Sequence, residues 1–314
     1  YESAFSVQEN YEKGYYKQKE DILFSFLQKN FLGKNGEVFT NLNPKNPDMD
    51  TLSESVGLLM KYSLLRDRKD LFDREFSFLK KSLLVKNKYI KWRSGAKDVF
   101  CNAAIDDLRV IRALVDAFDK WGDKKYLNAA GFIQESIYEN QVTGDYLNDF
   151  YDWEYDKVKA IIPLCYLDLY TLGRISYFNQ GWREVGDKGL VIIKEGRVEE
   201  TSPLYYKYFS IDVGKYMLDE EYDKDKSVCT TYSIYTALHM AEINENTQIF
   251  TEWLAGEMDD GRLYAWYNPY TLKPTSKIES TAVYSLAAVY AHKVGEEKLY
   301  NALVDRMLKF MVDN

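Results

Sequence analysis

Two carboxyl groups, one protonated and one ionised, are enough to donate a proton to a reacting oxygen and to draw another from water. The sequence offers acids placed for such work. Glu54 stands in Thr51-Leu-Ser-Glu-Ser-Val-Gly57-Leu-Leu-Met60, at the mouth of an apolar run. Asp106 and Asp107 open a second run, in Asn102-Ala-Ala-Ile-Asp-Asp-Leu-Arg-Val-Ile-Arg-Ala-Leu114. Asp212, Asp259, Asp260 and Glu279 follow in the second half. Each early acid also has a plainer reading. Thr51 with Glu54 three residues on has the form of a capping box, and acids in a first turn stabilise a helix through its dipole. A second acid and an aromatic-lined groove would favour the chemical reading. Trp92-Arg93 and Trp266-Tyr267-Asn268-Pro269 are candidates for that lining.

Composition narrows the partners. A formal net charge of -8 argues against nucleic acid or an anionic membrane, which need a concentrated basic patch. The substrate or ligand should be neutral or cationic. With 27 Tyr, 16 Phe and 6 Trp, the chain can fill a core and still stack flat apolar faces. Cys101, Cys165 and Cys229 are too scattered for a disulfide framework, and their apolar neighbours predict buried thiols. His239 and His292 both fall inside helical runs, so neither a histidine-ligated metal nor another cofactor is expected. No run of ~18 apolar residues is present to span a membrane. The chain starts at Tyr1, which suggests that an N-terminal segment was removed.

These acids must be held by helices. Ile22, Phe26, Leu27 and Phe31 form a first stripe, ending near Gly33, and a proline-bearing loop follows at Asn43-Pro44-Lys-Asn-Pro47. Phe72, Phe76, Leu79 and Leu83 make another stripe, and residues 88–95 read as a short extended segment. Helical spacing returns over 105–121 and from Tyr126 to Ile137, separated by the tight turn Gly122-Asp123. A strongly apolar helix is predicted over 158–172, with Pro163 in its first turn. Further helical runs are predicted at 174–188, 209–219, 229–243, 247–256, 279–293 and 296–311, with long loops at 83–104, 190–208 and 257–277. Helix pairs alternating between tight turns and long loops predict an all-α double ring in one domain of 1–314, with function on the long-loop end.

In order and spacing, five motifs resemble glycoside hydrolase family 8. They are Ser53-Glu54-x-x-Gly57, Lys91-Trp92-Arg93, the Ala-x-x-Asp-Asp107 helix start, Trp121-Gly-Asp-x-x-Tyr126 and Ser202-Pro203-x-Tyr205-Tyr206. The likeness extends from about residue 15 to 311 and is nearest to the secreted or lipid-anchored members of bacterial exopolysaccharide operons. It implies an (α/α)6 barrel, inverting hydrolysis and no metal. Glu54 would match the general acid of the family's S-E-x-x-G motif. Asp107 would match the second aspartate of A-T-D-x-D. Ile105 stands where the first aspartate belongs, so Asp106 would take over its sugar-positioning role by a one-residue shift.

For the base, the family's Y-D-A-x-R motif aligns with Lys277-Ile-Glu279-Ser-Thr-Ala, which makes Glu279 the first choice. Asp212 is the reserve, with Asp259 and Asp260 behind it. Inversion places acid and base roughly 6.5–9.5 Å apart across the sugar. Trp92, Arg93, Tyr205, Tyr206, Trp266 and Tyr267 would bind the polymer. The resemblance therefore implies a monomeric inverting endo-glycosidase, extracellular or at the cell surface, acting on an exopolysaccharide or a β-1,4-linked glycan. Two rivals are a polysaccharide lyase or epimerase, disfavoured by the scarcity of histidine, and a degenerate glycan-binding protein, motivated by the departures at Ile105 and Glu279.

Overall fold

The structure, a computed structural model, describes residues 14–42, 50–95, 99–218 and 227–312. The proline-bearing loop at 43–47 lies outside the described residues, as does the end of the run at 209–219. Helix dominates, and the chain forms two compact units.

The first unit comprises residues 1–142 and 150–159. Its helices are α1 (Tyr15–Asn30), α2 (Ser53–Leu65), α3 (Lys69–Phe78), α4 (Ala104–Trp121) and α5 (Lys124–Gln141). A π-helical turn, Leu79–Leu83, extends α3 into a hairpin of β1 (Leu84–Val85) and β2 (Tyr89–Ile90), of which β2 falls in the extended segment expected at 88–95. Strands β3 (Tyr151–Asp152) and β4 (Lys157–Val158) complete this unit. Helix α2 packs on both α3 and α4, and α4 on α5. The α4–α5 turn follows the sequence: Gly122 takes the left-handed φ of +70°, and the Asp123 carboxylate caps α5 by accepting from the Lys125 amide.

Helix α1 forms where its apolar stripe predicts, but turns a different face inward. Ile22 and Phe26 of the expected stripe are 46% and 42% exposed. The inward contact is instead made by Phe24, which stacks on Tyr62 at 4.9 Å beside the cluster of Val38, Leu59 and Leu71.

The second unit comprises residues 143–149 and 160–314. It holds β5 (Ile161–Pro163), α6 (Leu169–Ile175), α7 (Gly181–Glu195), β6 (Tyr208–Ser210) and β7 (Lys215–Met217). After them come β8 (Val228–Cys229), α8 (Thr230–Glu242), α9 (Gln248–Asp259), β9 (Trp266–Tyr267), α10 (Thr281–Lys293) and α11 (Glu297–Leu308). Helix α8 packs on α10 and α6, α10 on α11, and α6 on α7.

Three helical expectations fail here. The apolar run 158–172 breaks into β5, a short 3-10 turn and the start of α6, because Pro163 ends a strand rather than starting a helix. The run 174–188 is interrupted by a turn at 176–180, where Asn179 Oδ1 accepts from the Gly181 amide. The run 209–219 is the hairpin β6–β7, antiparallel to β5 and closed at Gly214 with φ +63°. Among the described residues no disulfide joins the cysteines, and only Cys165 is buried, its thiol pKa pushed up to about 12 by that burial, while Cys101 and Cys229 are half-buried. Among the described residues no helix is long and apolar enough to cross a membrane.

Candidate active site

The first turn of α2 is built from distant backbone. Leu52 occupies the cap position with extended dihedrals and no side-chain cap bond. Thr51 lies outside it: its Oγ1 accepts from the Val38 amide at 2.9 Å, and its own amide donates to Ser94 Oγ at 3.0 Å. The capping-box reading is therefore corrected, since Thr51 is committed elsewhere and Glu54 is the second helical residue. The glutamate side chain is 44% exposed.

Asp106 and Asp107 are not caps either, because Ala103 holds that position. Asp106 turns toward Glu54. Its Oδ2 accepts from Ser53 Oγ at 3.0 Å and its Oδ1 from Arg109 Nη1 at 2.6 Å, while Arg109 Nη2 lies 3.6 Å from Glu54 Oε1. Burial raises the pKa of Asp106, Arg109 opposes this, and the neighbouring Glu54 adds to it. One guanidinium thus spans both carboxylates. Gly57 makes room for it: a Cβ there would lie 3.1 Å from Arg109 Cγ and 3.2 Å from Cδ. The S-E-x-x-G spacing acquires a physical reason, with one turn separating the acid from the gap that its arginine crosses.

Asp107 faces the other way. It is 1% exposed, its Oδ2 accepts from Asn102 Nδ2 at 2.6 Å, and its Oδ1 has no hydrogen-bond partner among the described residues. Burial holds its pKa well above the ordinary carboxylate value, and the neighbouring Asp106 pushes the same way against the hydrogen bond from Asn102. Asn102 in turn donates to Gln141 Oε1 at 2.7 Å and accepts from the Tyr151 amide at 2.7 Å.

The segment 91–95 braces the same helix start. The Trp92 carbonyl accepts from the Ser53 amide at 3.0 Å, and the Trp92 amide donates to the Cys101 carbonyl at 3.2 Å. Arg93 pairs with Asp50 and lies 5.2 Å over the half-buried Trp92 ring. Gly95 has φ +134°, and any Cβ there would collide with the Asp50 carboxylate. Sequence reasoning missed two features of this unit. Arg109 reads as one of many helical cations until Asp106, three residues before it, is placed. Tyr89 and Trp153, half-buried and stacked at 5.2 Å and 14°, are far apart in the chain.

In the second unit Tyr205 and Tyr267 are 3% and 0% exposed, which leaves neither ring a face for a ligand. Burial raises both hydroxyl pKa values; Tyr205 is also bridged to Arg197, and Tyr267 donates to Glu257 at 2.6 Å. Tyr206 and Trp266 are half-buried; Tyr206 stacks on Tyr216 at 5.8 Å, and Trp266 pairs with Cys229 across β8–β9. Asp212 stands exposed at the β6–β7 turn, and Asp259 and Asp260 are exposed at the end of α9. Glu279 precedes α10 and is gripped. Arg306 Nε donates to its Oε2 at 2.8 Å and Nη2 to its Oε1 at 2.7 Å, while Tyr284 donates to Oε2 at 2.6 Å. Burial works against its ionisation, but the bonds from Tyr284 and Arg306 prevail and hold its pKa below the ordinary value.

Comparison with known proteins places this geometry. Residues 24–205 match the model of glycosyl hydrolases family 8. The putative lipoprotein YdaJ of Bacillus subtilis is 26% identical over 299 residues, covering 91% of this chain and 76% of that protein. A solved structure described as a novel alpha-amylase from Clostridium perfringens superposes with a TM-score of 0.86 at 31% identity, covering 93% of this chain and 86% of its own. PssZ from Listeria monocytogenes gives a TM-score of 0.77 at 24% identity, covering 92% and 87%. The fold class is the all-α (α/α)6 barrel that the family resemblance implied, in keeping with the double ring expected from the helix pairs. The chain belongs to glycosyl hydrolases family 8 and is a glycoside hydrolase.

Proposed function

We propose that this glycoside hydrolase cleaves an extracellular polysaccharide internally and with inversion, with Glu54 as the general acid. The observation that carries the reading is the cluster of Glu54, Arg109 and Asp106 at the exposed start of α2. Glu54 is open to a leaving-group oxygen, and Asp106 stands beside it, fixed by Ser53 and Arg109. Asp106 rather than Asp107 then takes the sugar-positioning role, because Asp107 is sealed in the core. Half-buried Trp92, Tyr206 and Trp266 supply ring faces for pyranoses, whereas Arg93, Tyr205 and Tyr267 support the backbone around them.

For the base we favour Asp212 over Glu279. A base must present an oxygen to water. The Glu279 oxygens already accept three hydrogen bonds, whereas Asp212 lies exposed on a hairpin turn. Asp259 and Asp260 follow. In the inverting scheme the base draws a proton from water on the sugar face opposite the acid.

The substrate is proposed to be a neutral or cationic glycan at the cell surface, in keeping with the net charge of -8 and the relative named a lipoprotein. An α-linked glucan is the second reading, favoured by the relative described as an alpha-amylase. Incubation with β-1,4-glucan, xylan, chitosan, amylose and an amino-sugar exopolysaccharide, followed by proton NMR of the first-formed anomer, separates these readings. Reducing ends of inverted configuration support the proposal. Retained configuration, or product with an unsaturated sugar, overturns the mechanism.

A further inference from the structure

Deep in the second unit a histidine faces two acids. His239, in the last turn of α8, is 4% exposed, and its Nε2 lies 3.1 Å from the Cys165 carbonyl oxygen. A carbonyl only accepts, so Nε2 carries a proton and donates. That leaves Nδ1 as a bare lone pair in the neutral ring, and Nδ1 has no hydrogen-bond partner. The groups in front of it are Glu242 Oε2 at 3.7 Å and Asp168 Oδ1 at 4.0 Å, on side chains only 10% and 6% exposed. All three atoms lie within 4.8 Å of one another. A buried lone pair confronting two carboxylate oxygens repels them unless something positive stands between.

We propose that Asp168, His239 and Glu242 form a binding site for a divalent transition-metal ion of the zinc class, independent of the hydrolytic site. One imidazole nitrogen and two carboxylate oxygens are a donor set that zinc accepts. At the largest separation, an ion centred among the three atoms would lie about 2.5 Å from each, a few tenths beyond the ~2.0–2.2 Å of Zn–N and Zn–O bonds. Small side-chain rotations close that gap. Outer contacts are already in place: Asp168 Oδ1 accepts from the Thr171 amide at 3.0 Å and Oδ2 from Thr171 Oγ1 at 2.6 Å, while Cys165 fixes the tautomer of His239. The C-terminal end of α8 adds its negative dipole. Counting histidines argued against a metal; the fold adds a helix-capping aspartate and a glutamate one turn along.

An ion here would join the cap of α6 to the last turn of α8, and so act on stability rather than on hydrolysis. The chain has only two histidines, and His292 is exposed on α10, which gives a clean control. Chelator-treated protein is titrated with Zn2+ and with Co2+, following heat, melting temperature and the visible cobalt spectrum. Expected are one ion per chain, a rise in melting temperature of about 5 °C at a hundredfold excess over Kd, and cobalt absorption indicating a nitrogen ligand. Glu242→Gln and Asp168→Asn should each weaken binding at least ~10-fold, the scale on which metal-site changes act, with His292→Gln unchanged. The proposal is overturned if folded parent protein takes up no ion, which would mean that a proton alone neutralises the cluster. Uptake that His292→Gln abolishes, or that both carboxylate variants retain in full, overturns it too.

Discussion

Glu54 and Glu279 stand at the same end of their helices, one in the first turn of α2 and one just before the cap of α10, yet their surroundings are opposite. Glu54 is 44% exposed with one guanidinium nitrogen 3.6 Å away, whereas Glu279 is 14% exposed and held on both oxygens. The same residue type at the same end of a helix is thus loosely held and open to solvent in one place and tightly gripped in the other. Its partners decide: Arg109 is shared between Asp106 and Glu54, while Arg306 donates two hydrogen bonds to Glu279.

Substitutions can break that contrast. Glu54→Gln should lower kcat at least ~10²-fold on whichever glycan is cleaved, the scale of a general acid's contribution. Near-parental turnover would end the assignment of the acid. Asp212→Asn should lose about as much if it activates water, with KM little changed. Gly57→Ala should cost about 10-fold in kcat, because a shift of a few tenths of an ångström in Arg109 misaligns both carboxylates. Parental kcat with a parental melting temperature would show that Arg109 moves aside freely.

Glu279→Gln should change kcat by less than ~3-fold while lowering stability by about 1–3 kcal/mol in urea melts, as loss of a charge-assisted fork does. The reverse pattern would restore Glu279 as the base. A third glutamate sharpens the comparison. Glu75 is fully buried on α3, and burial pushes its pKa up to about 7 against the pull of Arg74. The unfolded chain therefore releases this proton first as pH rises from about 4.5 to 7, so this group makes the fold less stable across that window. Glu75→Gln should flatten the fall by roughly 2–3 kcal/mol, with urea midpoints at pH 4.5 and 7.5 as the readout.

Much of the helical scaffold was legible because stripes such as Leu108, Ile111 and Val115 bury one face and Gly122-Asp123 can only turn. The failures share a cause. Along 158–172 and 209–219 apolar content reads as helix, but Pro163 and Tyr208-Phe209-Ser210 belong to strands completed by pairing with distant residues. The place of Glu54 in the first turn of α2 was legible through its motif. Arg109 was not, because its role depends on helix α4 crossing Gly57, which no local pattern encodes. Asp106 and Asp107 were adjacent letters until the helix turned one toward Glu54 and the other into the core.

The Trp92 carbonyl, described above as a brace for the Ser53 amide, carries a consequence for biosynthesis. Ser53 meets Trp92 across 39 residues and Asp106 across 53. On a ribosome the helix bearing Glu54 therefore emerges well before the carbonyl, the carboxylate and the guanidinium that fix it. The setting of Glu54 is assembled only when the chain has grown past Arg109, so a nascent fragment that stops short of that residue has the helix but not the groups that surround the glutamate.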